Sequence, residues 1–231
     1  PTPYSTLKVE GNVYSGLGST NLSWGAGSKV EGYLYTTSTA SETMLPHEYR
    51  VSGTPAISWP DYSTSDWHKA ATTSYSSGST ITNPVFSSNG AMLSSAGTLY
   101  VSGVFSGRGA IHADTVVVTG HLRPAALDSL LSIVAREVRF GSTKSGDHYV
   151  DAVVFADSAV IVKPTVLTGS LAAKSLSMQS GQTSNLTIRQ RDLVWRSKAI
   201  AKELKLPGYW RPSLLTGTYF RYGAMQDITA G

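Results

Sequence analysis

Cysteine is absent from this chain of 231 residues, and no apolar run approaches the length of a membrane span. The first absence excludes a disulfide framework and a thiolate metal site. A helix that crosses a bilayer needs about 20 apolar residues, so we expect these residues to make no membrane contact. Charged residues are also scarce, at 15% of the chain. Ser, Thr and Gly supply the polar remainder, which favours strands and tight turns over long surface helices.

Positive charge is concentrated towards the C-terminus. Residues 186–231 contain eight basic and three acidic side chains, a net charge of +5, whereas residues 1–185 carry −1. The positive charge is therefore concentrated in residues 186–231, and we expect this segment to bind any polyanionic partner.

Four octapeptides share one pattern, which is apolar, any residue, Ala, charged, Thr/Glu/Ser, apolar, any residue, apolar. They read IHADTVVV at 111–118, IVAREVRF at 133–140, VFADSAVI at 154–161 and LAAKSLSM at 171–178. Their starts lie 22, 21 and 17 residues apart. Fainter copies, VEGNVY at 9–14 and VEGYLY at 30–35, are again 21 apart. Repetition at about 20 residues predicts a solenoid.

Each octapeptide also alternates as a strand does. Ile111 and Ala113 point to one side, and Val116 and Val118 do so again after two polar residues. Two short strands that meet at a corner and keep one apolar side inward are two sides of a coil. An antiparallel sandwich of short strands is the alternative, but it does not explain the repeated Ala.

The sequence therefore predicts an all-β protein, a β-solenoid (β-helix) with about 17–22 residues per coil. Residues 1–190 form the solenoid domain, with an insertion at 36–96 that is either a flap over the core or a functional loop. In residues 191–231, the stretch RDLVWRSKAIAKELKLPG predicts a helix that caps the last coil, and a basic, aromatic tail follows it.

The segment GTLYVSGVFSGRGAIHADTVVVTG (97–120) resembles the β-solenoid ectodomains of bacterial type IV pilus minor pilins. Residues 99–103 match the family's strand I-Y-V-x-G, and residues 106–111 match the S-G-x-G-x-I that follows it. The resemblance covers roughly residues 5–190. The chain begins at Pro1 without Met and lacks the hydrophobic pilin helix, so we expect an ectodomain whose anchoring segment is absent. The resemblance implies an extracellular protein on a cell-surface pilus, with other pilins as partners.

A competence-associated branch of that family implies a role in DNA uptake at the pilus tip. Basic residues would neutralise phosphates without sequence preference, and aromatic residues would stack on unpaired bases. The predicted DNA-contacting residues are Arg189, Arg191, Trp195, Arg196, Lys198, Lys202, Lys205, Trp210 and Arg211. The alternative is a structural or adhesive surface module that spaces a tip or binds glycans or surfaces.

Catalysis is not expected. A glycosidase-type site needs clustered carboxylates. Asp114 and Asp157 instead alternate with Arg136 and Lys174 at one repeat position, which predicts an exposed ladder of opposite charges. The five His residues show no ligand spacing, and His112 is expected to be exposed. We therefore predict a non-enzymatic protein with no cofactor and no metal site.

Overall fold

The computed structural model describes residues 6–15, 27–36, 47–51, 59, 64–141, 147–179, 185–189 and 198–207. Twelve strands and two short helices lie in these ranges. In chain order they are β1 (Thr6–Val9), β2 (Val13–Ser15), β3 (Lys29–Thr36), β4 (His47–Val51), α1 (Thr64–Lys69), β5 (Thr73–Tyr75), β6 (Ser79–Thr82), β7 (Ala91–Phe105), β8 (Arg108–Pro124), β9 (Leu130–Phe140), β10 (His148–Ile161), β11 (Thr165–Met178), β12 (Asn185–Arg189) and α2 (Lys198–Glu203). Within the described ranges, no helix is long and apolar enough to span a membrane.

The predicted β-solenoid is confirmed, with about 6 turns of parallel strands. The first apolar residues of the four octapeptides are partners in neighbouring coils, in the order Ile111, Ile133, Val154 and Leu171. The corner alanines form a second column, in the order Ala113, Ala135, Ala156 and Ala173. The inward residues of these columns belong to one continuous core. The spacings of 22, 21 and 17 residues between copies therefore differ because the segments that connect the strands differ in length.

Each coil has three straight segments, and these stack into three walls. The first wall consists of residues 91–95, 109–113, 131–135, 152–156 and 169–173. The second wall consists of residues 98–101, 115–118, 137–140, 158–161 and 175–178. The third wall consists of residues 103–105, 121–124, 148–151, 165–168, 185–189, 6–9 and 29–30.

The first and last strands of the described sheet meet on the third wall. β1 pairs with β12 and with β3, so the N-terminal coils continue the stack beyond β12. The predicted copies at 9–14 and 30–35 are neighbours, as their spacing of 21 indicated. After β4 the chain reaches the opposite end of the stack, where β5 and β6 pair with β7. Trp59 and α1 belong to the segment between β4 and β5, which we call the returning segment. Both lie outside the first wall.

The predicted insertion at 36–96 is only partly an excursion from the coil. β4, β5, β6 and the start of β7 fall inside it and are strands of the solenoid sheet. The stretch TTSYSSGSTIT (72–82) shows no clear apolar repeat, so its strands were not predicted. The reason is that a terminal coil has a neighbour on one side only and buries few side chains, mainly Ile81 and part of Tyr75. Its short, Ser- and Thr-rich edge also discourages pairing with another chain.

The predicted C-terminal helix is present as α2, but it lies against the first wall and not across the last coil. Ala201 and Leu204 pack with Leu130 and Val153. Ser132 donates a hydrogen bond to the carbonyl of Leu204. The open edge of β12 is covered by β1 instead, because strand pairing satisfies the backbone groups of an edge directly.

Gly103 marks the corner between the second and third walls. Its φ of +100° is unfavourable for a side chain, as expected for a corner glycine. Asn83 Oδ1 occupies the space that a Cβ would need, because it accepts the Val104 N–H at 2.8 Å. Asn12 Oδ1 does the same for the Tyr33 N–H at 2.9 Å. An asparagine thus replaces a backbone hydrogen bond where a coil turns.

Candidate functional site

The nine residues predicted to contact DNA are only partly within the described ranges. Arg189, Lys202 and Lys205 are described fully, and Lys198 by its backbone. The remaining five lie outside the described residues, namely Arg191, Trp195, Arg196, Trp210 and Arg211.

The fully described members of this set are not brought together. Arg189 ends β12 on the third wall, where its guanidinium pairs with Glu10 at 3.5 Å. Lys202 is exposed on α2, against the first wall, and Lys205 follows with its ammonium beside Gly90. Burial lowers the pKa of Lys205. The three cations therefore do not share one surface.

The charged corner residues form the ladder that the repeat predicted. Arg136 donates to Asp114 with an N···O distance of 2.7 Å, and Lys174 pairs with Asp157 at 2.9 Å. Each of these carboxylates faces a cation of the next coil, so the two do not form the paired acid and base that hydrolysis requires. Among the described residues, no group of three His, Asp or Glu side chains is placed to hold a metal ion.

Most outward side chains of the first wall are covered, and many of them are apolar. Trp67 of α1 packs on Met92, Ala110 and Val134. α2 covers Val153 farther along the wall. Strands buried on both faces carry apolar residues without alternation, and the first wall follows that rule.

A chain of three polar side chains lies beneath α1. His68 Nδ1 is 3.1 Å from Ser94 Oγ, and Ser94 Oγ is 3.1 Å from His112 Nδ1. The expectation that His112 is exposed is wrong, because Trp67 covers it with ring centroids 5.3 Å apart and no surface remains. Burial and, secondarily, His68 lower the pKa of His112 to about 4, although Asp114 raises it. Ser94 is fully buried too, which does not suit a nucleophile that must reach a substrate.

Trp59 fastens the returning segment to the wall at β10. Its ring stacks on Phe155, with centroids 4.4 Å apart and planes inclined by 22°. Its Nε1–H donates to Asp157 at 3.0 Å, and the Lys174 ammonium lies 5.6 Å from its ring centroid. Trp59 therefore joins the first wall to the charge ladder.

The outer face of the third wall is open to solvent. Strand pairing places one row of outward side chains along the solenoid axis, in the order His121, Tyr149, Val166, Thr187, Lys8 and Lys29. Both lysines are exposed, as are His121 and Tyr149. The row, which we call the third-wall row, is five strand spacings or about 24 Å long.

One end of the row is an aromatic and cationic cluster of His121, Arg123 and Tyr149. The Arg123 guanidinium lies 4.7 Å from the centroid of the Tyr149 ring, and the His121 ring centroid lies 5.5 Å from it. The Tyr149 N–H donates to His121 Nδ1 at 3.2 Å, so the neutral imidazole carries its proton on Nε2. The cluster thus presents N–H donors, a positive charge and an aromatic ring together.

The other end of the row is a stacked pair of lysines. Lys8 and Lys29 are Cα partners on neighbouring strands. Lys29 also pairs with Glu31 at 3.3 Å, with both side chains more than half exposed. Like charges directly opposite each other destabilise a sheet, so this position is not optimised for stability.

No protein family, curated protein or solved structure matches this chain. The resemblance to minor pilins therefore stays a prediction.

Sequence reasoning missed the third-wall row because its members are far apart in the chain, from Lys8 to Thr187. The copies VEGNVY and VEGYLY carried one usable signal, since their spacing of 21 stacks Lys8 on Lys29. Nothing in the repeat indicated that β1 follows β12 in the stack. The cluster around Tyr149 was missed for a similar reason, because His121 is 28 residues away and β9 lies between the two residues in the chain.

Proposed function

We propose that this chain is the non-enzymatic, extracellular ectodomain of a pilus-associated protein, and that it contacts DNA without sequence preference along the third wall. The observation that carries the proposal is the exposed row with the cluster of His121, Arg123 and Tyr149 at one end and two stacked lysines at the other. Other pilins are the expected partners, and neither a cofactor nor a metal is part of the proposed function.

The stacked lysines are the strongest element of the proposal. Lys8 and Lys29 repel each other across one strand spacing of about 4.8 Å. A phosphate between them would relieve that repulsion. The length of the row, about 24 Å, corresponds to about seven phosphates of one strand of a duplex.

The cluster at the other end suits unpaired bases or strand ends. An exposed Tyr ring offers a stacking platform for any base, and an arginine over the ring adds a positive charge at the same place. Carboxylates lie on or directly beside the described part of the wall, among them Asp151, Glu10 and Glu31. We therefore expect weak, strongly salt-dependent binding.

A salt-titrated binding assay with single- and double-stranded DNA tests this function. The double variant Lys8→Gln/Lys29→Gln is expected to reduce the slope of log affinity against log salt by about 2. The matched control is Arg139→Gln on the second wall combined with Lys174→Gln at the corner beside it, which removes the same charge. Equal losses in both variants would show that only net charge matters, and the third wall would lose its role.

A third variant separates the C-terminal segment from the third wall. Lys198→Glu/Lys202→Glu reverses two charges on α2 while leaving the third-wall row unchanged. If DNA binding falls mainly in this variant, the contact surface is the basic C-terminal segment and not the row.

An adhesive module is the second candidate, and the charge balance of the third wall favours it. The described part of the wall is close to neutral, because its carboxylates nearly balance its cations, which are Lys8, Lys29, Arg123 and Arg189. A neutral glycan would meet the Tyr149 ring and its neighbouring N–H donors without needing excess positive charge. Retention on polysaccharide resins that Tyr149→Ala abolishes, together with no DNA binding at low salt, would establish this alternative.

A further inference from the structure

We propose that His68, Ser94 and His112 form an acid-sensitive latch, which holds α1 on the first wall and releases it when His112 takes up a proton. The latch goes beyond the proposed function and does not depend on it, since it involves the first wall and not the third. It rests on a continuous hydrogen-bonded chain, on the complete burial of Ser94 and His112, and on the segment that the chain fastens.

The hydrogen bonds of the latch run through the Ser94 hydroxyl, and the tautomers of the two imidazoles set their direction. Two imidazole Nδ1 atoms lie 3.1 Å from the same Ser94 hydroxyl, one from each side. A serine hydroxyl donates only one proton, so one imidazole accepts from Ser94 while the other donates to it. The geometry is therefore satisfied by two neutral rings of opposite tautomer. If His112 is the accepting ring, a second proton makes its Nδ1 a donor, and Ser94 then faces two donors. If His112 is the donating ring, the second proton lies on Nε2, which is buried without a hydrogen-bond partner among the described residues.

His112 occupies a position at which the fold accepts apolar residues. Its partner on β9 is Val134, and the next outward residue of that row is Phe155. His112 Nε2 is buried and has no hydrogen-bond partner among the described residues. An unpaired buried polar atom costs stability, so packing alone does not account for a histidine here.

The charged groups around His112 are few and largely engaged. α1 contributes His68 and also Asp66, which pairs with Lys69 at 3.6 Å. The strand of His112 contributes Asp114, which is held by Arg136 from β9. β7 contributes only the neutral Ser94 to the contact. Asp114 favours a proton on His112, but burial and His68 oppose it more strongly, and the pKa of His112 lies near 4.

Release of α1 is the simplest way for the protein to accommodate a protonated His112. A buried imidazolium needs water or a carboxylate at Nε2, and Trp67 lies over that ring. Lifting α1 would hydrate His112 and at the same time expose Met92, Ala110 and Val134. Acid would thus uncover an apolar patch on the first wall and loosen the segment that connects the N-terminal coils to the rest.

Amide hydrogen exchange resolved by peptide tests the latch between pH 7 and pH 4, after correction for the intrinsic pH dependence. In the wild-type chain, the opening constant of residues 64–71 is expected to rise about tenfold per pH unit between pH 6.5 and 4, because opening takes up one proton. Peptides from β8 and β9 serve as internal references for global unfolding. A flat profile at α1 would overturn the proposal.

Three variants assign the proton. His112→Val copies the residue of the neighbouring coil and should abolish the pH slope, and His112→Gln gives the same readout if the valine variant does not fold. His68→Gln should retain a slope, because His112 still titrates, and His121→Gln on the third wall should match wild type. A slope that persists in both His112 variants, or that disappears only in His68→Gln, would exclude His112 as the sensor.

Discussion

The first and third walls belong to the same coils, yet their outer faces have opposite surroundings. On the first wall, Val134 and Phe155 point outward and are packed beneath α1 and Trp59. On the third wall, Tyr149 points outward and stays 38% exposed, and Lys8 faces solvent. The inward faces are alike, since both contribute to one apolar core.

This difference shows that the repeat specifies only the inward-facing side chains of each coil. The covered wall is visible in the sequence as apolar residues without alternation, such as LLSIVA at 130–135 and AVVFA at 152–156. The open wall alternates, as in NLTIR at 185–189. A loss of alternation within a solenoid strand therefore predicts that another segment covers that strand.

The largest expected effect comes from removing the covering residue of the first wall. Trp67→Ala deletes a side chain that is 2% exposed, and we expect a loss of about 4 kcal/mol in the free energy of unfolding. Tyr149→Ala on the third wall should change it by less than about 0.5 kcal/mol. Urea denaturation of both variants measures the contrast. Similar losses would mean that the two outer faces are equally important for stability.

The next effect is a pH dependence that belongs to the first wall. The pKa of His112 is lowered from 6.5 to about 4, so the unfolded chain binds this proton more readily than the folded one. The contribution to stability is complete above pH 6.5, is lost as the pH falls from 6.5 to 4, and is constant below that. It amounts to about 3 kcal/mol. Denaturation curves at pH 7, 5.5 and 4 should show this loss in wild type and not in His112→Val; parallel profiles would contradict it.

The coil itself was predictable because stacking requires apolar inward residues of similar size at the same positions in every turn. Ala113 and Ala135 stand at one corner because the interior has room for a methyl group there, and their spacing of 22 sets the strand register. The charge ladder of Asp114 and Arg136 followed from the same spacing. These features depend on residues one coil apart, which a repeat displays directly.

The outer faces were not predictable because they depend on contacts between distant segments. Trp59 meets Asp157 across 98 residues, and Thr6 meets Asn185 across 179. The burial of His112 depends on α1, which lies outside the repeat. No local pattern reports where a returning segment or an N-terminal strand will dock, so the candidate site emerged only from the fold.

A smaller effect concerns the anchor that joins the first wall to the charge ladder. Trp59→Phe keeps the stacking on Phe155 but removes the Nε1–H donor to Asp157, and we expect a loss of about 1 kcal/mol. A double-mutant cycle with Asp157→Ala, which removes the acceptor, isolates the hydrogen bond, since a coupling energy of that size should appear only when both groups are present. Additive losses would show that Trp59 acts through packing alone.

The smallest effect has the opposite sign and tests the open wall. Lys8→Thr removes one of two stacked like charges and introduces a residue that suits strands, as Thr187 does beside it. We expect the free energy of unfolding to rise by a few tenths of a kcal/mol at low salt, about 0.3 kcal/mol, while affinity for DNA falls. The gain should disappear near 1 M salt, where the screening length is about 3 Å. If Lys8→Thr instead lowers stability at low salt, the lysines do not repel each other, and the argument that a phosphate would relieve their repulsion fails with it.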